Sequence, residues 1–120
     1  MLKALVVEDE HALQALYGRI LNSAGYQVAT ASDGNDAIYA LQHDDPPHLI
    51  VLDIRMPSCN GYEVLRFLQT YPNIEHIHVV IATASREFEH YVDMIPSAEF
   101  LLKPVLPPHL LTITRRQQVI

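Results

Sequence analysis

Short apolar runs alternate along the chain with longer stretches in which apolar residues recur at helical spacing. The first run, Lys3 to Val7, is halted by three acids, Glu8, Asp9 and Glu10. Leu13, Leu16, Tyr17 and Ile20 then repeat at i, i+3, i+4 and i+7, which predicts a helix that Gly25 is placed to end. Gln27 to Ala31 reads as a second strand, and Asp33 as the cap of a helix with Ala37, Ile38 and Leu41 on one face. Asp45-Pro46-Pro47 breaks that helix, because proline lacks an amide proton and restricts the residue before it. Leu49 to Leu52 is continuously apolar, as a strand covered on both faces must be, and Asp53 follows it. A loop over Met56 to Asn60 leads to a stripe of Gly61, Val64, Leu65 and Leu68. His78 to Ala82 predicts a fourth strand, Arg86 to Met94 a short helix and Glu99 to Leu102 a fifth strand. Leu110, Leu111 and Ile113, after Pro107-Pro108, mark a last helix with proline in its first turn.

Strand and helix thus alternate five times, which predicts an α/β fold: a parallel sheet with helices on both faces, joined by right-handed crossovers. The 120 residues fit one domain, expected over 1–120, and 49% hydrophobic residues suffice for a core. The formal charge of −6 disfavours direct binding to nucleic acid or an anionic membrane. One cysteine, Cys59, allows no internal disulfide, and the acids that interrupt the first apolar run argue against a signal peptide. A cytoplasmic location is the resulting expectation.

In open parallel sheets, sites form outside the carboxyl ends of the strands, beside the point where strand order reverses. Glu8, Asp9, Asp53 and Thr83 each follow or end an apolar run and should converge at that edge, with Lys103 close by. Taken singly they have ordinary readings: acids at a helix start, a threonine cap, a surface lysine. Taken together they suit one chemistry. Crowded carboxylates call for a hard divalent cation, and Mg²⁺ takes one or two carboxylates plus phosphate oxygens. An aspartate there can attack phosphorus. Phosphoryl transfer then needs positioning and charge neutralisation, which Mg²⁺, an ammonium and a hydroxyl supply. A hydrolase of the haloacid-dehalogenase type would want a second acid two residues after Asp53, where Arg55 stands. A nucleotide-binding fold is disfavoured because none of the four glycines forms a phosphate-binding motif.

Four ordered motifs, VVEDE at 6–10, LDIRMP at 52–57 with Gly61 following, IATAS at 81–85 and FLLKP at 100–104, make the chain resemble the receiver domains of two-component response regulators. The resemblance spans essentially the whole length. It implies a five-stranded sheet in the order 2-1-3-4-5, the flavodoxin-like receiver fold. It implies Asp53 as phosphoacceptor, Asp9 as a direct Mg²⁺ ligand, Glu8 acting directly or through water, and the backbone carbonyl of Arg55 as a further ligand. Thr83 and Lys103 would each bond a phosphoryl oxygen, Lys103-Pro104 would form a cis peptide, and Ala84 would leave the phosphate room to enter. Thr83 and Phe100 would form the switch. Phe100 stands where many relatives carry tyrosine, so its signal would pass through packing alone. Implied partners are a sensor histidine kinase or phosphotransfer protein and a downstream effector domain or protein. The resemblance implies a signalling domain rather than an enzyme, the alternative being a degenerate receiver that docks partners without phosphorylation. Thr83 and Lys103 stand 20 positions apart, slightly fewer than usual for the family, and Pro96-Ser97 replaces a common Gly-Ala pair. Both departures imply a short or distorted fourth helix.

The remaining residues have plainer readings. Arg55 and Ser85 flank the expected phosphoryl site, where Arg55 could tune acyl-phosphate lifetime or simply offset the local acids. His76 and His78 lack a third ligand at zinc spacing, and Cys59 reads as an inert thiol. Arg115 and Arg116 suit a helix C-terminus, and Tyr17, Tyr26 and Tyr39 read as packing residues.

Overall fold

The computed structural model describes residues 1–54 and 61–118. Five parallel strands, β1 (Leu2–Val7), β2 (Tyr26–Ala31), β3 (Leu49–Leu52), β4 (His78–Thr83) and β5 (Ala98–Leu102), lie in the order β2-β1-β3-β4-β5. Four α-helices, α1 (His11–Ser23), α2 (Gly34–His43), α3 (Gly61–Gln69) and α4 (Pro107–Gln118), alternate with them. The expected fourth helix, Arg86–Met94, is a run of 3-10 turns with no fully buried residue. The sheet order and the distortion of that segment are as the sequence leads one to expect. A further 3-10 turn at Ile74–His76 lies outside the predicted elements.

Alternation along the strands divides the core into two layers. Leu5, Val7, Ile50, Leu52, Val79 and Ile81 pack on one face, against Ala37 and Leu41 of α2 and Val64, Leu65 and Leu68 of α3. Ala4, Val6, Leu49, Val51, Val80 and Ala82 pack on the other, against Tyr17, Ile20 and Leu21 of α1 and Leu110 and Ile113 of α4. β3 is buried at every position, which explains its unbroken apolar run. The stripe of α1 is turned from the predicted one: Leu16 is exposed and Leu21 buried. Tyr39 is a clearer departure, 65% exposed and stacked on His43 instead of packed in the core. No helix among the described residues is long and apolar enough to cross a membrane.

Local chemistry fixes the element ends. Gly25, at φ 97°, takes the left-handed turn after α1 that a residue with a Cβ rarely adopts, and its N–H donates to Asn22 O at 3.1 Å. Asp33 caps α2 by accepting the Asp36 N–H at 2.8 Å. At the sheet's other end, His78 Nε2 lies 2.8 Å from Glu99 Oε2, and Arg116 Nη2 grips both oxygens of Glu99 at 3.0 Å. That cluster ties the last turn of α4 to β4 and β5.

Asp33→Ala is expected to lower stability by about 1 kcal/mol, the usual worth of an N-cap, as read from the urea midpoint. An unchanged midpoint would show that α2 does not depend on its cap.

Candidate functional site

Sheet order reverses between β1 and β3, and the chain leaves those neighbouring strands at Glu8 and Asp53. Glu8 and Asp53 continue the alternation of Val6 and Val51, and Lys103 that of Leu101, so all three belong to the face covered by α1 and α4. Lys103 Nζ donates to Glu8 Oε1 at 2.7 Å and to Asp53 Oδ2 at 3.2 Å. β1 and β5 are separated by three strand spacings, about 14 Å, so long side chains are needed to close the gap. A glutamate just past β1 and a lysine just past β5 provide that reach, while the shorter Asp53 stands between them just past β3.

Glu8, Asp9 and Asp53 each place a carboxylate oxygen within 4.8 Å of the others. Among the described residues, no other such group of three or more His, Cys, Asp or Glu is found. Glu8 is only 2% exposed. Its second oxygen accepts the Glu10 N–H at 3.2 Å. Burial pushes its carboxyl above the ordinary value of 4.5, and the bonds from Lys103 and Glu10 only partly oppose that rise. For Lys103 the balance runs the other way. Burial works against the ammonium, but the Glu8 bond and the attraction of Asp53 outweigh it and hold the group above the ordinary lysine value. Among the described residues, one cation thus stands against three crowded carboxyl groups.

Thr83 ends β4 between Asp53 and Lys103 in the strand order. It is fully buried, and its Oγ1 has no hydrogen-bond partner among the described residues. Its alternation with Val79 and Ile81 assigns it to the α2/α3 face, opposite the ion pair. Phe100 pairs with Ile81, packs half-buried against the same layer and stands diagonally across from Thr83. Lys103 N donates to Thr83 O at 2.8 Å, and the Lys103-Pro104 peptide is cis. Ala84 is exposed at the mouth of this edge. Ser85 accepts the Glu87 N–H at 3.4 Å as the cap of the 86–94 turns. Arg55, its backbone carbonyl included, and Cys59 lie outside the described residues.

Sequence reasoning assigns no site role to two further contributors. Gln14 Nε2 donates to Glu8 O at 3.1 Å and to Ala31 O at 3.3 Å, fastening the β1 exit to α1 and β2. Gly61 approaches the backbone beyond β3: a Cβ there would lie 2.6 Å from Ile54 Cα and 2.7 Å from Asp53 O. Its N–H donates to Ile54 O at 3.0 Å. The glycine is visible in the sequence, but only the fold shows what crowds it. Among the described residues no histidine joins a group of three potential metal ligands; His76 is exposed beside Glu75, and His78 lies against Glu99.

Comparison with known proteins bears out the fold and identifies its family. Residues 4–115 match the family model of the response regulator receiver domain. The chain is similar to the transcriptional regulatory protein HprR of Escherichia coli (strain K12), 32% identical over 118 residues, which cover 97% of this chain and 51% of HprR. It is 36% identical over 105 residues to response regulator PleD of Caulobacter vibrioides (strain NA1000 / CB15N), covering 86% of this chain and 23% of PleD. The structure of chemotaxis response regulator CheY4 of Vibrio cholerae superposes with a TM-score of 0.85 at 27% identity, over 98% of both chains. The chain therefore spans about half the length of HprR and under a quarter of PleD.

Two predictions come from this geometry. Gly61→Ala must displace the backbone at Asp53 and Ile54, and the protein should lose about 1–3 kcal/mol of stability in urea unfolding; a neutral substitution would show that the close approach is relaxed at no cost. Glu8 holds its proton more tightly folded than unfolded. Its contribution to stability is therefore full below its ordinary value of 4.5 and is lost as pH rises through the raised folded value. As pH rises from 4.5 through the raised folded value, the wild-type urea midpoint should fall relative to that of Glu8→Gln, and parallel curves would remove Glu8 from the linkage.

Proposed function

We infer the function from one premise, that the chain belongs to the response regulator receiver domain family: Asp53 accepts a phosphoryl group from a histidine kinase or phosphotransfer protein in a Mg²⁺-dependent reaction. The observation that carries this reading is the shared ammonium, Lys103 Nζ at 2.7 Å from Glu8 and 3.2 Å from Asp53, beside carboxylate oxygens gathered within 4.8 Å. An Asp53 oxygen attacks the phosphorus of a phosphohistidine. The phosphorus–nitrogen bond breaks, its electron pair stays on the imidazole, which takes up a proton, and an acyl phosphate is left on Asp53.

The acidic cluster fits Mg²⁺ on its own chemistry. Its donors are hard carboxylate oxygens, and among the described residues Lys103 is the one cation bonded to them. Asp9 and Asp53 would hold the ion, with Glu8 directly or through water and the Arg55 carbonyl completing the protein ligands. The bound ion would neutralise charge developing on the transferred phosphoryl oxygens. Lys103 then exchanges a carboxylate partner for a phosphoryl oxygen, and the Thr83 hydroxyl, buried without a partner among the described residues, turns to another.

The exchange can become a signal because Thr83 and Phe100 share one face of the sheet. Movement of Thr83 toward the phosphoryl group changes the space beside the ring, and Phe100 repacks inward. The ring has no hydroxyl, so an effector domain or partner protein reads a change of shape. Arg55, close to the site in sequence, tunes the lifetime of the acyl phosphate.

Incubation with Mg²⁺ and acetyl phosphate should add a single phosphoryl group, seen by intact mass. The addition should be absent in Asp53→Asn and abolished by a chelator. A wild-type protein that neither gains this mass nor responds to beryllofluoride would instead be a phosphorylation-independent docking module.

A further inference from the structure

α1 lies against the sheet through Tyr17, Ile20 and Leu21, and Tyr17 is only 1% exposed. Packing alone would be served by phenylalanine. The tyrosine adds a hydroxyl that is buried and has no hydrogen-bond partner among the described residues. Such a group has given up its bonds to water, so it calls for a physical reason.

The position of the ring supplies one. Tyr17 shares its cluster with Val6, Val51, Ala82 and Val105. These residues stand two before Glu8, two before Asp53, one before Thr83 and two after Lys103. Because Glu8 and Asp53 continue the alternation of Val6 and Val51, the phenol lies on the same side of the sheet as the ion pair. The charges of Lys103, Glu8, Asp53 and Glu10 all act on it, on top of the burial that raises its proton affinity. Tyr26 provides an internal contrast. Its hydroxyl is also buried without a partner among the described residues, but it starts β2 opposite Leu2, at the far end of the sheet, where burial alone acts on it.

We propose that Tyr17 is a positioning residue of the phosphoryl site, its hydroxyl joined through one buried water to the Glu8–Lys103 pair. A phenol both donates and accepts, an ammonium only donates and a carboxylate only accepts, so a hydroxyl–water chain can serve both members of the pair. Lys103 uses two of its three donors on Glu8 and Asp53. Each Glu8 oxygen accepts one bond and retains capacity for another. A water touching the phenol, the ammonium and the carboxylate would have the three polar partners that buried waters usually find. The chain anchors Glu8 and limits how far Lys103 travels when a cation and a phosphoryl group compete for its partners.

This inference rests on the phosphoacceptor reading, and Tyr17→Phe tests it separately. Phenylalanine keeps the ring and removes only the hydroxyl, so the variant folds and its melting temperature is not lowered. The Mg²⁺ concentration for half-maximal thermal stabilisation should rise at least about threefold, as for outer-shell groups that orient metal ligands. The same ratio in Tyr26→Phe should be one. This readout needs no phosphorylation, so failure to phosphorylate Asp53 sinks the phosphoacceptor reading alone. An unchanged Mg²⁺ midpoint in Tyr17→Phe, with the wild type phosphorylated normally, sinks the role of Tyr17 alone. A high-resolution crystal structure supplies a second test. An ordered water bonded to Tyr17 Oη and to Glu8 or Lys103 supports the role, and a dry hydroxyl or one bonded elsewhere overturns it.

Discussion

One half-buried ammonium, that of Lys103, holds the functional edge of this protein together. It reaches from the exit of β5 to acids on β1 and β3, and its two bonds of 2.7 and 3.2 Å offset part of the repulsion among three crowded carboxylates. Buried charges of this kind are expensive to leave unpaired. The local structure around them is correspondingly constrained: Lys103 N is bonded to Thr83 O, Glu8 O to Gln14, and the backbone at Asp53 and Ile54 is pressed by Gly61.

The ion pair and the threonine occupy opposite faces of the same sheet edge. By strand alternation Glu8, Asp53 and Lys103 fall on the side of α1 and α4, and Thr83 falls on the side of α2 and α3, where Phe100 packs. The proposed phosphoryl site therefore draws its acids and ammonium from one face, and Thr83, at the end of β4, joins that chemistry to Phe100 on the other. The 86–94 segment has no fully buried residue and its backbone forms 3-10 turns. Phe88, Tyr91, Val92 and Met94 pack only half-buried against the layer that holds Phe100, and so are suited to respond when Phe100 repacks.

The sequence is a good guide wherever one residue's chemistry decides the local outcome. Asp33 caps α2, Pro46-Pro47 lies beyond its end, and the unbroken apolar run of Leu49 to Leu52 is the doubly covered central strand. The convergence of Glu8, Asp53, Thr83 and Lys103 is legible for the same reason: parallel strands all exit on one side, so residues following them must meet. Exposure is less legible for helical residues. Leu16 and Leu21 are equally apolar, and only the rotation of α1 on the sheet puts Leu21 inside. Tyr39 is aromatic yet stacks on His43 at the surface, because α2 turns that side to solvent.

The amino-acid order by itself determined the alternation of elements, the family pattern and the set of groups at the sheet's edge, since these follow from periodicity and from motifs. Tertiary structure alone decided which of those groups touch: that Lys103 is shared by Glu8 and Asp53, that Gly61 crowds the Asp53 backbone, that Glu99 clamps α4 through Arg116, and that Tyr17 packs in one cluster with Val6 and Val51. The reason is geometric. A strand specifies its own alternation, but which long side chains meet across three strands depends on the order and stagger of the whole sheet.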